Sequence, residues 1–405
     1  MNILFLTLLD FSSLSEHNIY TDLLREFAKH NHKVYIISPI ERRKKQESQL
    51  IETDEVVILK LKIGNIQKTN ILEKGFSTLS IEPLFIAGIK KYFLQVKFDL
   101  VIYSTPPITF CNAIQFVKKR DGARTYLLLK DIFPQNAMDI GILTERGVKR
   151  WIYKFFRAKE KKLYSISDRI GCMSPANVEY VLRYNPEVNP DIVEVCPNSV
   201  EPIDLSLNEE MRTLIRNKYK IPLNKRVFVY GGNLGKPQGI DFLIECLQSQ
   251  ETNEKVYFLI IGDGTEYGKL EAYKNSNQPK NVRLMKRLPK EDYDVIVAAC
   301  DVGMIFLDHR FTIPNFPSRL LNYMQAKLPV LICSDGNTDI GRIAEENGFG
   351  YWCESNGVAG FQDILNRFIE MKDLDVLGTH AFLYLNTHYS ASITYEIISK
   401  SIISE

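Results

Sequence analysis

The sequence predicts an α/β protein built as two doubly wound domains. Three observations carry this reading. Short β-rich runs alternate with helical patterns along the 405 residues, the mark of repeated strand–helix units. The runs are apolar throughout rather than at every second position, which suits parallel strands covered on both faces. The alternation starts afresh near Arg226, in a chain long enough for two domains.

In the first half the strand candidates are NILFLT (2–7), KVYIIS (33–38), VVILKL (56–61), DLVIYS (99–104) and RTYLLL (124–129). In the second half they are RVFVYG (226–231), VYFLIIG (256–262), VRLM (282–285), VGMIFL (302–307) and PVLICS (329–334). Between the halves lies VCPNSVEPIDLSLNEE (195–210), whose prolines, Asn-Ser pair and acids read as a linker. Domains are therefore placed at 1–200 and 201–385. The closing stretch, 386–405, is helical in period with Ser390 as a candidate N-cap, and is set apart from both.

The composition, 45% hydrophobic and 25% charged, is that of an ordinary globular protein. MNILFLTLLDF lacks the basic start of a signal peptide, and no uninterrupted apolar run is long enough to span a membrane. Seven cysteines stand singly, with no CxxC pair, which points to a reducing cytoplasm and away from disulfides or structural zinc. The net charge of +2 is unevenly spread: residues 1–200 hold 29 Lys and Arg against 22 Asp and Glu, and the remainder hold 22 against 27. A basic first half suits anionic lipid, nucleic acid or an acidic substrate.

Five stretches are candidates for chemistry. In YGGNLGKPQGIDFLI a strand ends in Gly231 and Gly232, Gly235 follows, and a helix begins after Gly239. Glycines let backbone approach a phosphate, and a helix start presents free N–H groups. The spacing is not GxGxxG and no acid follows a second strand, so a dinucleotide is disfavoured; a tight structural turn is the competing reading. FLIIGDGTEYGKL, with Gly262, Gly264 and Gly268, is one residue too long for that fingerprint. In NFPSRLLNYMQAKLPVL, Ser318 is a candidate N-cap for a helix from Arg319 to about Ala326, and Arg319 offers a guanidinium suited to phosphate. In YLLLKDIFPQNAMDI, Asp131 stands just past a strand's C-terminal end, where open α/β sheets place ligands; it could orient an acceptor hydroxyl, act as a base, or merely cap a turn. Residues 146–162 carry eight basic residues and one acid, interleaved with Val148, Trp151, Ile152, Phe155 and Phe156 at helical spacing. Lys149, Arg150, Trp151, Lys154 and Arg157 then suit a helix on an anionic membrane surface, or one packed on its own sheet.

No HExxH, P-loop or GxSxG pattern occurs, and His30 with His32 reads as a helix-end turn rather than a metal pair. The DLD at 373–375 is taken as surface charge.

In their order, IYTDLLREFAKHNHKVYIISPIER, LKDIFPQNAMDIGIL, VCPNSV, YGGNLGKPQGIDFLI, IIGDGTEYGKL and NFPSRLLNYMQAKLPVL resemble bacterial glycosyltransferases of the family-4 type. The likeness runs over nearly the whole chain. It is nearest to the capsule, O-antigen and exopolysaccharide branch, which includes N-acetyl-L-fucosamine transferases. The resemblance implies the GT-B fold, two Rossmann-like domains facing across a cleft, with the final helix crossing back onto the first. It implies a UDP-sugar donor on the second domain and a polyprenyl-diphosphate-linked sugar acceptor on the first. It further implies retention of configuration, no metal or other cofactor, and work at the cytoplasmic face of an anionic membrane, peripherally bound. Nucleic acid has no part in it. On this reading Gly232, Asn233, Gly235, Lys236, Ser318 and Arg319 hold the diphosphate, Arg287 and Leu288 lie in the segment that holds the base, Asn322 contacts the ribose, and Asp131 serves the acceptor.

Three positions depart from the family pattern. Its Glu-x7-Glu pair appears as Pro314 and Asn322, the Arg and Lys of its donor loop as Asn233 and Gln238, and its acceptor-side His as Asp131. Arg319, with Lys236, is left to supply the missing charge. A nucleotide-sugar epimerase of the same fold, and a non-catalytic nucleotide-sugar or membrane-binding assembly subunit, are the alternatives.

Overall fold

The computed structural model describes residues 1–10, 12–66 and 71–403, with the side chains of residues 71–76, 79 and 403 outside the described set. It divides into two compact units: Met1–Glu201 together with the residues from Ala391 on, and Pro202–Ser390. The break falls inside the proline- and acid-rich stretch. The chain re-enters the first unit five residues later than the 386 boundary read from the sequence.

Among the described residues the first unit holds eight strands: β1 (Asn2–Leu6), β2 (Lys33–Glu41), β3 (Gln49–Glu52), β4 (Val56–Ile63), β5 (Leu100–Ser104), β6 (Arg124–Leu129), β7 (Arg169–Cys172) and β8 (Val193–Val195). They are ordered β3-β4-β2-β1-β5-β6-β7-β8, all parallel except the β3–β4 hairpin. The order reverses between β1 and β5. The second unit holds β9 (Arg226–Asn233), β10 (Val256–Asp263), β11 (Val282–Met285), β12 (Val302–Phe306), β13 (Val330–Ser334) and β14 (Gly350–Glu354). Its order, β11-β10-β9-β12-β13-β14, is wholly parallel and reverses between β9 and β12. Such reversals open a crevice at the carboxyl ends of the central strands, where doubly wound folds bind ligands.

All ten strands expected from the sequence are present. Four others escaped it because their runs are short or mixed: β3 is an exposed hairpin edge, β7 holds four residues, β8 three, and β14 begins on Gly350. Each sheet is buried by its helices. Phe228, Tyr230, Phe258, Ile260, Met304 and Phe306 pack under helices Ile240–Gln248 and Val358–Glu370 in the second unit. In the first, Phe5, Phe27, Ile36 and Leu128 share a core with Ile398 and Ile402 of the last helix, Ala391–Ile403. Tyr395 fastens that helix, edge-on to Phe27 at 4.9 Å and stacked on His30 at 4.0 Å. Among the described residues no helix is long and apolar enough to cross a membrane, and no group of three His, Cys, Asp or Glu is placed to hold a metal.

Candidate active site

In the second unit the site is built at the carboxyl end of β9. Val227–Tyr230 are fully buried, and Gly231, Gly232 and Asn233 then carry the strand out of the sheet. Gly231 has no room for a side chain, because the Tyr293 ring fills that space. Its N–H donates to the Tyr323 hydroxyl at 3.0 Å, which in turn donates to the Met304 carbonyl at 3.1 Å. Gly232 takes φ 112°, a backbone state that a side chain disfavours. A short 3-10 turn, Lys236–Gln238, leads into helix Ile240–Gln248.

The second glycine cluster has a packing role. A Cβ at Gly262 would strike the Gly232 carbonyl, and one at Gly264 the backbone of Leu234. The Leu234 N–H donates to the Asp263 carbonyl at 3.0 Å, and the Glu266 N–H to the Leu234 carbonyl at 2.9 Å. Loop thus lies on loop, and the turn after β10 props up the turn after β9.

Arg319 completes this edge. Its guanidinium lies over the Tyr230 ring at 4.3 Å and comes within 3.9 Å of the position a Gly232 Cβ would take. Its Nη1 is buried without a hydrogen-bond partner, and among the described residues no carboxylate pairs with it. Burial works against its charge, but a guanidinium stays protonated at any physiological pH, and the electron-rich face of Tyr230 favours the cation. A buried donor left unsatisfied is costly, and an anion beside the glycine turn would satisfy it.

Ser318 does not cap the helix. Its dihedrals, φ −64° and ψ −14°, are already helical, and its hydroxyl makes no capping bond. A cap needs an extended residue; here the turn has begun at Pro317, whose carbonyl accepts from Leu320 N–H at 3.2 Å. The helix itself, Arg319–Gln325, is only seven residues long.

Asn233 and Gln238, the neutral stand-ins for the family's cations, bond to each other, Asn233 Nδ2 to Gln238 Oε1 at 3.2 Å. Lys236 is exposed at the head of the 3-10 turn. Arg287 and Leu288 lie in the loop between β11 and helix Lys290–Ala298, two strands from β9. Asn322 turns toward that helix and donates to Asp294 Oδ1 at 2.9 Å, while its own Oδ1 is buried unpaired. Sequence reading missed Tyr230, Tyr293, Tyr323 and Asp294. A tyrosine closing an apolar strand just before two glycines was a usable signal for the first; the others are brought in only by folding.

In the first unit Asp131 follows β6. Thr105 Oγ1 accepts from the Lys130 and Asp131 N–H groups at 3.1 and 3.2 Å and donates to the Asp131 carbonyl at 2.9 Å, which fixes the loop. Asn136 Nδ2 reaches both carboxylate oxygens, at 2.7 and 2.8 Å. Burial pushes the Asp131 carboxyl up to about 6, against the opposing pull of Asn136 and the Ile132 N–H. That is a carboxylate poised for proton transfer near neutrality. Lys130 beside it is likewise half-buried, donating to the Pro197 carbonyl at 3.0 Å, and desolvation lowers its pKa.

Residues 146–162 fall on helix Gly147–Ile166 and its first flank. Its outer face is apolar and bare: Val148 is 77% exposed, Trp151 72% and Phe155 46%. Lys149, Arg150 and Lys154 are exposed around it. Arg157 is not part of that surface. It pairs with buried Glu160 at 2.5 Å and donates to the Tyr184 carbonyl and Asn185 Oδ1 at 3.0 and 2.6 Å, tying this helix to its neighbour. Helical spacing alone could not tell the inward cation from the outward ones.

Two family models divide the chain: Glycosyltransferase Family 4 matches residues 18–203, and Glycosyl transferases group 1 matches 211–377. WbjE of Pseudomonas aeruginosa, named a probable glycosyltransferase, is 26% identical over 339 residues, 83% of this chain and 81% of the relative. WcaI of Escherichia coli strain K12, whose name assigns it to colanic acid biosynthesis as a glycosyl transferase, is 23% identical over 251 residues, 61% of this chain and 60% of the relative. The crystal structure of Anabaena HepE with UDP-glucose covers 100% of both chains at TM-score 0.71 and 13% identity, a likeness of fold.

Proposed function

Given that the chain belongs to the bacterial family-4-type glycosyltransferases of the GT-B fold, we propose that it transfers a sugar from a UDP-sugar to a lipid-linked acceptor in surface-polysaccharide assembly. The observation that carries this reading is Arg319, whose guanidinium lies over the Tyr230 ring beside the glycine turn with its Nη1 buried and without a hydrogen-bond partner. The bond from the anomeric carbon to the diphosphate breaks, and negative charge grows on the departing UDP. A fixed cation stabilises that charge with little reorganisation. The acceptor oxygen forms the new glycosidic bond, and its proton passes toward the Asp131 carboxylate. We take the anomeric configuration to be retained, the sugar to be an acetamido sugar, and the reaction to need no metal.

The UDP-glucose complex of HepE supports a uridine nucleotide as donor. The name of WcaI supports a polysaccharide product. A polyprenyl-diphosphate acceptor fits the bare apolar and basic helix Gly147–Ile166, which suits an anionic leaflet at the inner face of the cell membrane. The test is UDP release from a panel of UDP-sugars with and without native lipid extract. Release that depends on extract, with label passing into lipid, is expected. Equal release without acceptor, or an epimerised sugar, would overturn the reading.

A further inference from the structure

We propose that the second unit carries an anion-binding site for a phosphorylated metabolite of sugar-phosphate size, at the opposite end of β9 from the glycine turn. A cavity of about 540 Å³ opens there, at the amino ends of β9, β10 and β12. Sites for small ligands have volumes of this order. Its lining carries five cations, Arg212, Arg216, Lys225, Arg226 and Lys255, against two carboxylates, Glu209 and Asp301.

The cations have unequal duties. Arg216 is used up in holding helix Glu209–Lys218 to the sheet: it donates to the Ala299 carbonyl at 2.7 Å, the Pro222 carbonyl at 3.3 Å and Asp301 at 2.8 Å. Asp301, buried, also accepts from Arg212 and from the Val227 N–H at 2.6 Å, and Arg226 Nη1 stands 4.0 Å away. One carboxylate is thus shared by three guanidiniums. Lys225 and Lys255 add to the surplus, and among the described residues neither pairs with a carboxylate. Among the described residues Glu209 pairs with Arg212 alone, at 3.6 Å, from a side chain that is itself exposed.

A structural ion-pair network balances its charges; this one leaves a concave surface with three more cations than anions. Concave basic surfaces focus field on an anion, and guanidiniums match phosphate oxygens in pairs. Thr213 and Asn224 offer hydroxyl and amide groups beside them, and Leu223 and Ile369 an apolar wall, for the rest of a small ligand.

The donor turn must be separated from this site, since both would take phosphates. The test is thermal unfolding of the full chain carrying Arg319→Ala, with millimolar pyrophosphate against sodium chloride of equal ionic strength. A rise of a few degrees with pyrophosphate is expected. Adding Lys225→Glu and Lys255→Glu, neither of which takes part in the ion pairs to Asp301, should abolish that rise. No rise beyond the chloride control, or a rise that survives both lysine changes, would overturn the proposal.

Discussion

Asp131 is half-buried in its loop, and the desolvation that comes with this pushes its carboxyl up to about 6. As the proton acceptor it works only when ionised, so kcat/KM should rise with pH to a limb near 6. Asp131→Asn should lower kcat by about 100-fold or more, within the usual range for a lost acid–base group, while the Kd for UDP stays the same. Equal losses in both would place the residue on the donor. Stability gives a second check. A folded pKa above the unfolded 3.8 means that the native state binds the extra proton between those values. The contribution is fully present below pH 4 and lost as pH rises through about 6. Asp131→Asn should therefore raise Tm by a few degrees at pH 7.5 and leave it unchanged at pH 4. The position of Asp131 after an apolar strand was legible in the sequence. Its clamp by Asn136 and its desolvation were not, because both depend on how loops fold over it.

Helices show what periodicity can and cannot tell. The basic and aromatic residues of 146–162 do lie on one helix, with Trp151 and Phe155 bare beside Lys149, Arg150 and Lys154. Replacing those three cations with Glu should cut sedimentation with anionic vesicles about tenfold or more, and salt should weaken the wild type likewise. Arg157→Glu should lower Tm instead, by breaking its pair with Glu160 and its bonds to Tyr184 and Asn185. Vesicle binding that ignores the three-cation change would remove the membrane from the account. The glycine turns make the same point for strands. Their place after β9 and β10 was legible, but the part played by GDG was not. It supports the neighbouring turn, so Gly262→Ala should weaken UDP binding without removing any polar group, through the clash at the Gly232 carbonyl.

At the scale of the molecule, strand–helix alternation and a restart near Arg226 were enough for two parallel sheets, since continuous apolar runs need cover on both faces. The donor charge was harder. A reader of the sequence finds Asn233 and Gln238 where cations belong, and the structure shows that pair bonded to each other. Beside exposed Lys236 the cation left is Arg319, which the fold carries to the face of Tyr230 from 89 residues further along the chain. With a fixed guanidinium in that place, turnover is expected to survive EDTA; loss of activity that magnesium restores would contradict this part of the account. Calorimetric titration of UDP into wild type and Arg319→Ala tests the central claim most directly. The account predicts affinity at least tenfold weaker in the variant, about 1.4 kcal/mol or more, with an unchanged Tm in the absence of nucleotide. Equal affinity in the two proteins would contradict it.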